Sequence, residues 1–403
     1  MTRFYKDVLI CSFGGFQFGY ATSIIAGALA FVGATFSLSP LQQGIAASIA
    51  LLGALITSAF ASSWRSRWGG KATMQIGGIF FLVGSLLAAC AWNYESLLLG
   101  RLITGAGAGI MPLLVPLYLI EIAPAPQRGY IVSSYQIAIA LGSLSSYFAG
   151  YWFSSTGNWS FMFGMGTFIA LGHLIALFFL DEKLPPQRLL AKNSWKQVFS
   201  PGFRPRLWLG ISLAVFQQFT GISVAYYFAP EIFQEAGFSS LSSAMLVTFI
   251  TGTVNLLAIL LAFWLIDKVG RRPLLLTSLS GMVLGLLGLI LAVLSHSPLL
   301  SSISLLAFIA AYAIGIGPIP SLFMGEITPS PIRGQAMAFT GFIGWIANYL
   351  VALTFLPLSA KLTSAGVFFI YSLFGLIALW IVATRIPETK GKTVEELSYE
   401  VFR

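Results

Sequence analysis

EIAPAPQRG, residues 121–129, returns as EITPSPIRG at residues 326–334. In both copies a glutamate stands seven residues before an arginine with two prolines between them, and the displacement is 205 positions. A second pair, RSRWGGK at 65–71 and IDKVGRR at 266–272, is displaced by 201. Two echoes in the same order and with similar offsets identify a duplicated unit of roughly half the chain.

The duplicated unit is a set of apolar spans. The 403 residues are 57% hydrophobic and 9% charged, with a mean hydropathy of +0.87, against the roughly 25% charged expected of a soluble domain. Apolar runs near 8–32, 42–62, 72–92, 96–119, 130–153, 159–180, 207–229, 244–266, 273–294, 302–324, 336–357 and 364–384 are each long enough to cross about 30 Å of hydrocarbon as a helix. An outer-membrane barrel would show short alternating segments instead. The fold class is therefore an all-α membrane protein with twelve spans in two pseudosymmetric six-helix bundles. The expected divisions are 1–180 for the first bundle, 181–206 for a linker, 207–386 for the second bundle and 387–403 for a tail. A short surface helix is expected near 187–198 in the linker.

The net charge of +9 is not a nucleic-acid footprint, because the basic residues sit in alternate connections. Arg65, Arg67, Lys71, Arg128, Arg271, Arg272 and Arg333 fall on one side with the linker, and the intervening connections hold almost nothing basic except Lys361. That pattern puts both termini in the cytoplasm, beside the anionic leaflet. The two cysteines, Cys11 and Cys90, imply no disulfide framework. Residues 1–10 read as the start of an uncleaved first span.

Polar residues inside the spans are few, and each needs a reason. Gln217 and Gln218 stand together in the seventh span, Gln136 in the fifth, Asn255 in the eighth and Asn348 in the eleventh. A carboxamide both donates and accepts, which suits a neutral polyhydroxylated ligand, and equally suits bonding between helices. Adjacent amides differ by about 100° on a helix, so presenting both Gln217 and Gln218 to one cavity requires a local irregularity. Convergent nucleophiles, acids or metal ligands are missing from the spans, and no phosphate-binding loop is present. The expectation is a non-enzyme with no cofactor and no metal.

The ordered series GFQFGYATSIIAGAL (15–29), GRLITGAGAG (100–109), FQQFTGISVAYYFAPEIF (216–233), IDKVGRR, GPIPSLFMGEITPSPIRG (317–334), GWIANYLVALTF (344–355) and PETKGKTVEEL (387–397) resembles the sugar porter family of the major facilitator superfamily over essentially the whole chain. The resemblance implies alternating-access transport of a monosaccharide, or of a polyol, by a functional monomer in a bacterial inner membrane, with membrane lipids as its surroundings. It implies sugar contacts for Gln136, Gln217, Gln218, Ser223, Tyr227, Asn255 and Asn348, with Trp345 offering an apolar face to sugar C–H groups. Ser223 stands where the family commonly has asparagine, Ser143 where it often has glutamine, and Ser321 where it often has tryptophan, so an enlarged cavity or a weakened closure is expected beside Ser321 unless Phe323 or another aromatic compensates.

Proton-coupled members usually carry aspartate after FGY, close to an arginine that matches Arg101. This chain has Ala21. Alanine cannot take up and release a proton, which favours facilitated uniport, the alternative being symport through another titratable group. Gln17, one turn before Ala21, is a candidate neutral acceptor for Arg101. Glu121 with Arg128 and Glu326 with Arg333, joined by Asp267, Arg271 and Arg272, are expected to form a cytoplasmic gate. Ser66 and Gly70 replace the acid and the arginine that the family generally has in the first-half loop.

Overall fold

The computed structural model describes residues 2–124, 128–181, 194–329, 332–392 and Glu396. Its regular structure among these residues is helical. The first half runs α1 (Thr2–Thr35), α2 (Pro40–Trp68), α3 (Gly70–Ala89), α4 (Tyr94–Ala108), α5 (Met111–Ile122), α6 (Arg128–Phe153) and α7 (Trp159–Phe178). The linker contributes α8 (Ser194–Val198). The second half runs α9 (Arg204–Phe219), α10 (Ile222–Tyr227), α11 (Ala229–Glu235), α12 (Leu241–Val269), α13 (Arg271–Leu294), α14 (Pro298–Ile314), α15 (Ile319–Ile327) and α16 (Arg333–Arg385).

These helices make twelve spans because some are broken and one is double. α4 with α5 is the fourth span, α9 with α10 the seventh, and α14 with α15 the tenth. α16 holds the last two, joined at Thr363, whose φ of 62° and ψ of 161° are not helical. The expected surface helix near 187–198 is α8 for its last five residues; 187–193 lie outside the described residues.

The turns at the two faces are built differently. At the face away from the chain ends, called here the far face, helices start on side-chain caps: Ser39 for α2, Asn93 for α4, Asn158 for α7, Ser240 for α12 and Ser297 for α14. Each accepts a backbone N–H of the first turn, which satisfies an otherwise orphaned donor. At the termini face α2 and α12 end with basic residues in the last turn, Arg65 and Arg67 or Lys268, where cations favour the helix dipole.

Close helix contacts use residues with no side chain in the way, as expected where lipid supplies no hydrophobic drive between helices. A Cβ at Gly19 of α1 would lie 2.0 Å from the Ile139 carbonyl of α6, and one at Gly105 of α4 would lie 1.9 Å from that of Ala50 in α2. The halves meet chiefly toward the far face. A Cβ at Gly44 of α2 would be 2.6 Å from the Leu353 carbonyl of α16, and one at Gly252 of α12 would be 2.7 Å from the Tyr147 ring of α6. Ser154 and Ser242 share a 2.9 Å hydrogen bond there, and the Tyr147 hydroxyl donates to the Tyr226 carbonyl at 3.1 Å.

Candidate substrate cavity

The seventh span breaks at Thr220–Gly221, where Gly221 takes φ 86°, a left-handed conformation that an L side chain rarely adopts. The break follows directly on Gln217 and Gln218, which occupy the last turn of α9. The tenth span breaks at Gly315, which frees the carbonyls around it. Gln217 Nε2 donates to two of them, Ile316 at 2.9 Å and Gly317 at 2.7 Å, and lies 3.4 Å from the Tyr312 hydroxyl. Gln218 Nε2 donates to Gln217 Oε1 at 3.5 Å, and Ser223 donates to Gln218 Oε1 at 3.2 Å. One broken span is thus stitched to another by the amide pair.

Both glutamines also line a cavity of about 320 Å³, together with Trp345 and Asn348. Asn348 Oδ1 is buried with no hydrogen-bond partner, an acceptor that a ligand hydroxyl could satisfy. Pro112 of the first half completes the wall. Ser321, Met337 and Gly341 also line it and are exposed. Ser321 precedes Glu326 on α15, and Met337 follows Arg333 on α16; the cavity therefore opens toward the termini face. Ser321 donates to the Pro318 carbonyl of its own helix at 3.1 Å.

The remaining expected contacts lie elsewhere. Asn255 is buried one layer back, accepting from the Tyr226 hydroxyl at 3.1 Å, and the Tyr226 ring stands edge-on to that of Tyr312. Ser223 and Tyr227 are buried beyond the lining. Gln136 is exposed on α6 and does not line the cavity. Trp345 reaches across the halves to Phe18 of α1, ring centres 5.8 Å apart. Sequence reasoning missed Pro112, Pro320, Met324 and Thr340 among the lining. Pro112 and Pro320 carried a signal, each a proline inside an apolar span.

Arg101 is 1% exposed. Its guanidinium donates to three backbone carbonyls, Ala21 at 3.2 Å, Ala47 at 3.3 Å and Ala46 at 3.4 Å, and stands over the Phe163 ring at 5.6 Å. The expected bond from Gln17 is not the one formed. Gln17 Oε1 lies 2.7 Å from His173 Nδ1, because residue 17 faces α7 while the backbone of residue 21 faces α4.

At the termini face the two acids pair with arginines at the ends of neighbouring helices. Glu121 bonds Arg65, and Glu326 bonds Arg271 through Nη2 at 2.8 Å and Nε at 3.1 Å. Arg333 donates instead to the Thr328 carbonyl at 3.2 Å, and Arg272 to that of Ala383 at 2.6 Å. The α2–α3 and α12–α13 turns bring Arg65 and Arg271 under the acids. The side chains of Arg128 and Asp267 lie outside the described residues. The tail joins the second network: Glu388 accepts the backbone N–H groups of Arg271 and Arg272, each at 3.0 Å, and Thr389 donates to Glu326. Burial pushes the Glu388 carboxyl up, but the N–H groups of Lys390, Arg271, Arg272 and Thr389 outweigh it and hold the group below the usual carboxylate range.

Broken spans around a cavity walled by both halves, the two halves in contact at one face and amides in the cavity wall define a membrane transporter of the major facilitator fold, not an enzyme. The chain matches the family described as "Sugar (and other) transporter" over residues 8–184 and again over 182–401, and it belongs to that family. It is 33% identical to the galactose-proton symporter of Escherichia coli K12, over 98% of this chain and 93% of that one. Among solved structures it superposes on a D-xylose-proton symporter with a TM-score of 0.87 at 29% identity, covering 97% of this chain and all of the other. It superposes on the inward-open conformation of the xylose transporter XylE from E. coli with a TM-score of 0.86 at 28% identity, covering 98% and 99%.

Proposed function

We propose that this protein carries a monosaccharide down its gradient across a bacterial inner membrane by alternating access, as a uniporter. In this reading the termini face is cytoplasmic, the bundles are residues 1–180 and 207–386, and the conformation described is open to the cytoplasm. Sugar hydroxyls bond Gln217, Gln218 and the free Oδ1 of Asn348, and the Trp345 face covers the C–H side of the ring. Gln136, Ser223, Tyr227 and Asn255 join or support the site when the halves rock about it. The acids and arginines of the termini face close the cytoplasmic side in the opposite state.

The observation that carries the uniport reading is the bonding of Arg101. Backbone carbonyls, including that of Ala21, occupy the guanidinium, and the side chain at position 21 has nothing to titrate. A second reading, proton symport through another group, is favoured by the names of the relatives, both of which are proton symporters.

The test places purified protein in sealed vesicles with D-galactose, D-xylose or D-glucose and follows sugar and internal pH together. The expected outcome is downhill flux with no proton movement, and Ala21→Asp is expected to introduce sugar-dependent alkalinisation on the side that sugar leaves. Proton movement tracking sugar in the unaltered protein would sink the uniport reading in favour of symport.

A further inference from the structure

Past the end of the seventh span, α11 packs against α12 and α14 of its own half and against α1 of the other. It is therefore part of the contact between halves at the far face. Ala229, Pro230, Ile232 and Phe233 are its buried apolar side chains. Among them stands Glu231, both of whose carboxyl oxygens are shut off from solvent with no hydrogen-bond partner.

Among the described residues its surroundings offer no cation. The part of α1 that reaches this face, residues 22–35, contains no ionisable residue, nor does α12 before Asp267 and Lys268 at its opposite end. α14 contributes only Tyr312, and α10 Tyr226 and Tyr227. Glu235, one turn on, is engaged elsewhere, accepting the Ser364 backbone N–H at 3.1 Å and its hydroxyl. His296, whose carbonyl faces Gly237, and Lys361 of α16 are exposed. A carboxylate shut off from solvent with no counter-charge and only its own backbone N–H beside it is expensive, and such a group takes up a proton instead.

We propose that Glu231 is a proton-binding site of the far-face closure, holding a proton while the halves are packed there and releasing it to that side when they part. The proposal rests on the alternating-access reading above and not on uniport, because the proton returns to the side it came from. The sign follows from linkage. Burial in the closed state pushes the carboxyl up to about 8, so closure is favoured as the far-side pH falls below that value. The ratio of closed to open rises by up to about tenfold per pH unit, until the pH reaches the ordinary glutamate value near about 4.3. The closed state binds the extra proton throughout that window.

The test needs no sugar. Cys90 is exposed at the far end of α3, and Ser295 is exposed at the far end of α13 in the other half. Spin labels on Cys90 and on Ser295→Cys, with buried Cys11 replaced by Ala, report the separation of the halves by pulsed electron resonance in lipid. Between about pH 5 and about pH 9 the short-distance population is expected to dominate in acid and give way to a longer one in base. Glu231→Gln, a near-isostere that cannot lose a proton, is expected to stay short throughout, and Glu231→Asp to restore the response. An unchanged pH response in Glu231→Gln, or none in the parent, overturns the proposal. Gly252→Leu, which drives a side chain into Tyr147, separates the two readings. If it opens the far face while pH does not, only the Glu231 proposal fails; if nothing opens the far face, alternating access fails too.

Discussion

The two halves turn the chain at the termini face with one backbone device and two different electrostatic ones. Gly69 between α2 and α3 and Gly270 between α12 and α13 have φ values of 87° and 102° and ψ values of 167° and 170°. After Gly270 comes Arg271, which grips Glu326, and both oxygens of Glu326 are used, one by Arg271 and the other by Thr389. After Gly69 comes Gly70. Arg65, a turn upstream, reaches Glu121 in its place, and Glu121 Oε2 is left buried without a hydrogen-bond partner. Duplication preserved the backbone turn, and among the described residues the charges around it diverged into a site where both acid oxygens are used and one where an oxygen is left over.

The sharpest way to break this contrast is to give the second half the residue of the first. Arg271→Gly removes a two-bond grip on a carboxylate whose partners are only 11% and 24% exposed and leaves Glu326 short of a counter-charge. The expected cost is about 2–3 kcal/mol, since hydrogen bonds to charged groups contribute more than neutral ones and stranding one member of a half-buried pair adds to the loss. Thermal unfolding in detergent measures it. A loss no larger than that of Arg65→Gln would show that the two sites are equivalent.

Next in size is the tail. Glu388 caps α13 from outside the helix, and Glu388→Gln is expected to cost about 1–2 kcal/mol, the range of a lost charged N-cap. Because the folded carboxyl lies below its ordinary range, its contribution is complete above the unfolded value, near about 4.3. It is lost as the pH falls through the folded value. The difference in melting temperature between Glu388→Gln and the parent is therefore expected at neutral pH and to close in acid. A difference independent of pH would mean that packing of the 387–392 segment, and not the carboxylate, holds it.

How much of this was legible in the sequence follows from what each feature depends on. Span number and duplication rest on local hydropathy and on repeated words such as EITPSPIRG, which need no knowledge of packing. The pairing of Gln217 with Gln218 was legible as a problem, two amides on different faces, and the break at Gly221 is how the chain answers it. Partners across helices were not legible. A span that is apolar all round has no periodic face, so nothing in the sequence shows that residue 17 meets His173, that Asn255 stands a layer behind the cavity, or that Glu121 meets Arg65. The orphaned oxygens of Glu231 and Asn348 are properties of closure, invisible until the halves are brought together.

The smallest expected effect is the most informative, because it tries to build the second-half site in the first. Gly70 begins α3 with an ordinary negative φ, and a Cβ there would meet only the Tyr118 ring, at 3.5 Å. Gly70→Arg therefore fits, and its guanidinium would stand where Arg271 stands relative to Glu326, within reach of the unused Glu121 Oε2. A charge-assisted bond contributes about 1.5 kcal/mol or more, and replacing glycine removes some backbone freedom from the unfolded chain. Against this, a cation at a helix N-terminus costs about 0.3–1 kcal/mol, and the Gly69 N-cap of α3 offers no side chain. The expected net is a gain of about 0.5–1 kcal/mol, read as a higher melting temperature, and a rescue of Arg65→Gln when the two changes are combined. If the double variant melts no higher than Arg65→Gln alone, the vacancy at Gly70 is not what leaves Glu121 under-satisfied, and the contrast between the halves must be traced to the Thr389 contact of the second half instead.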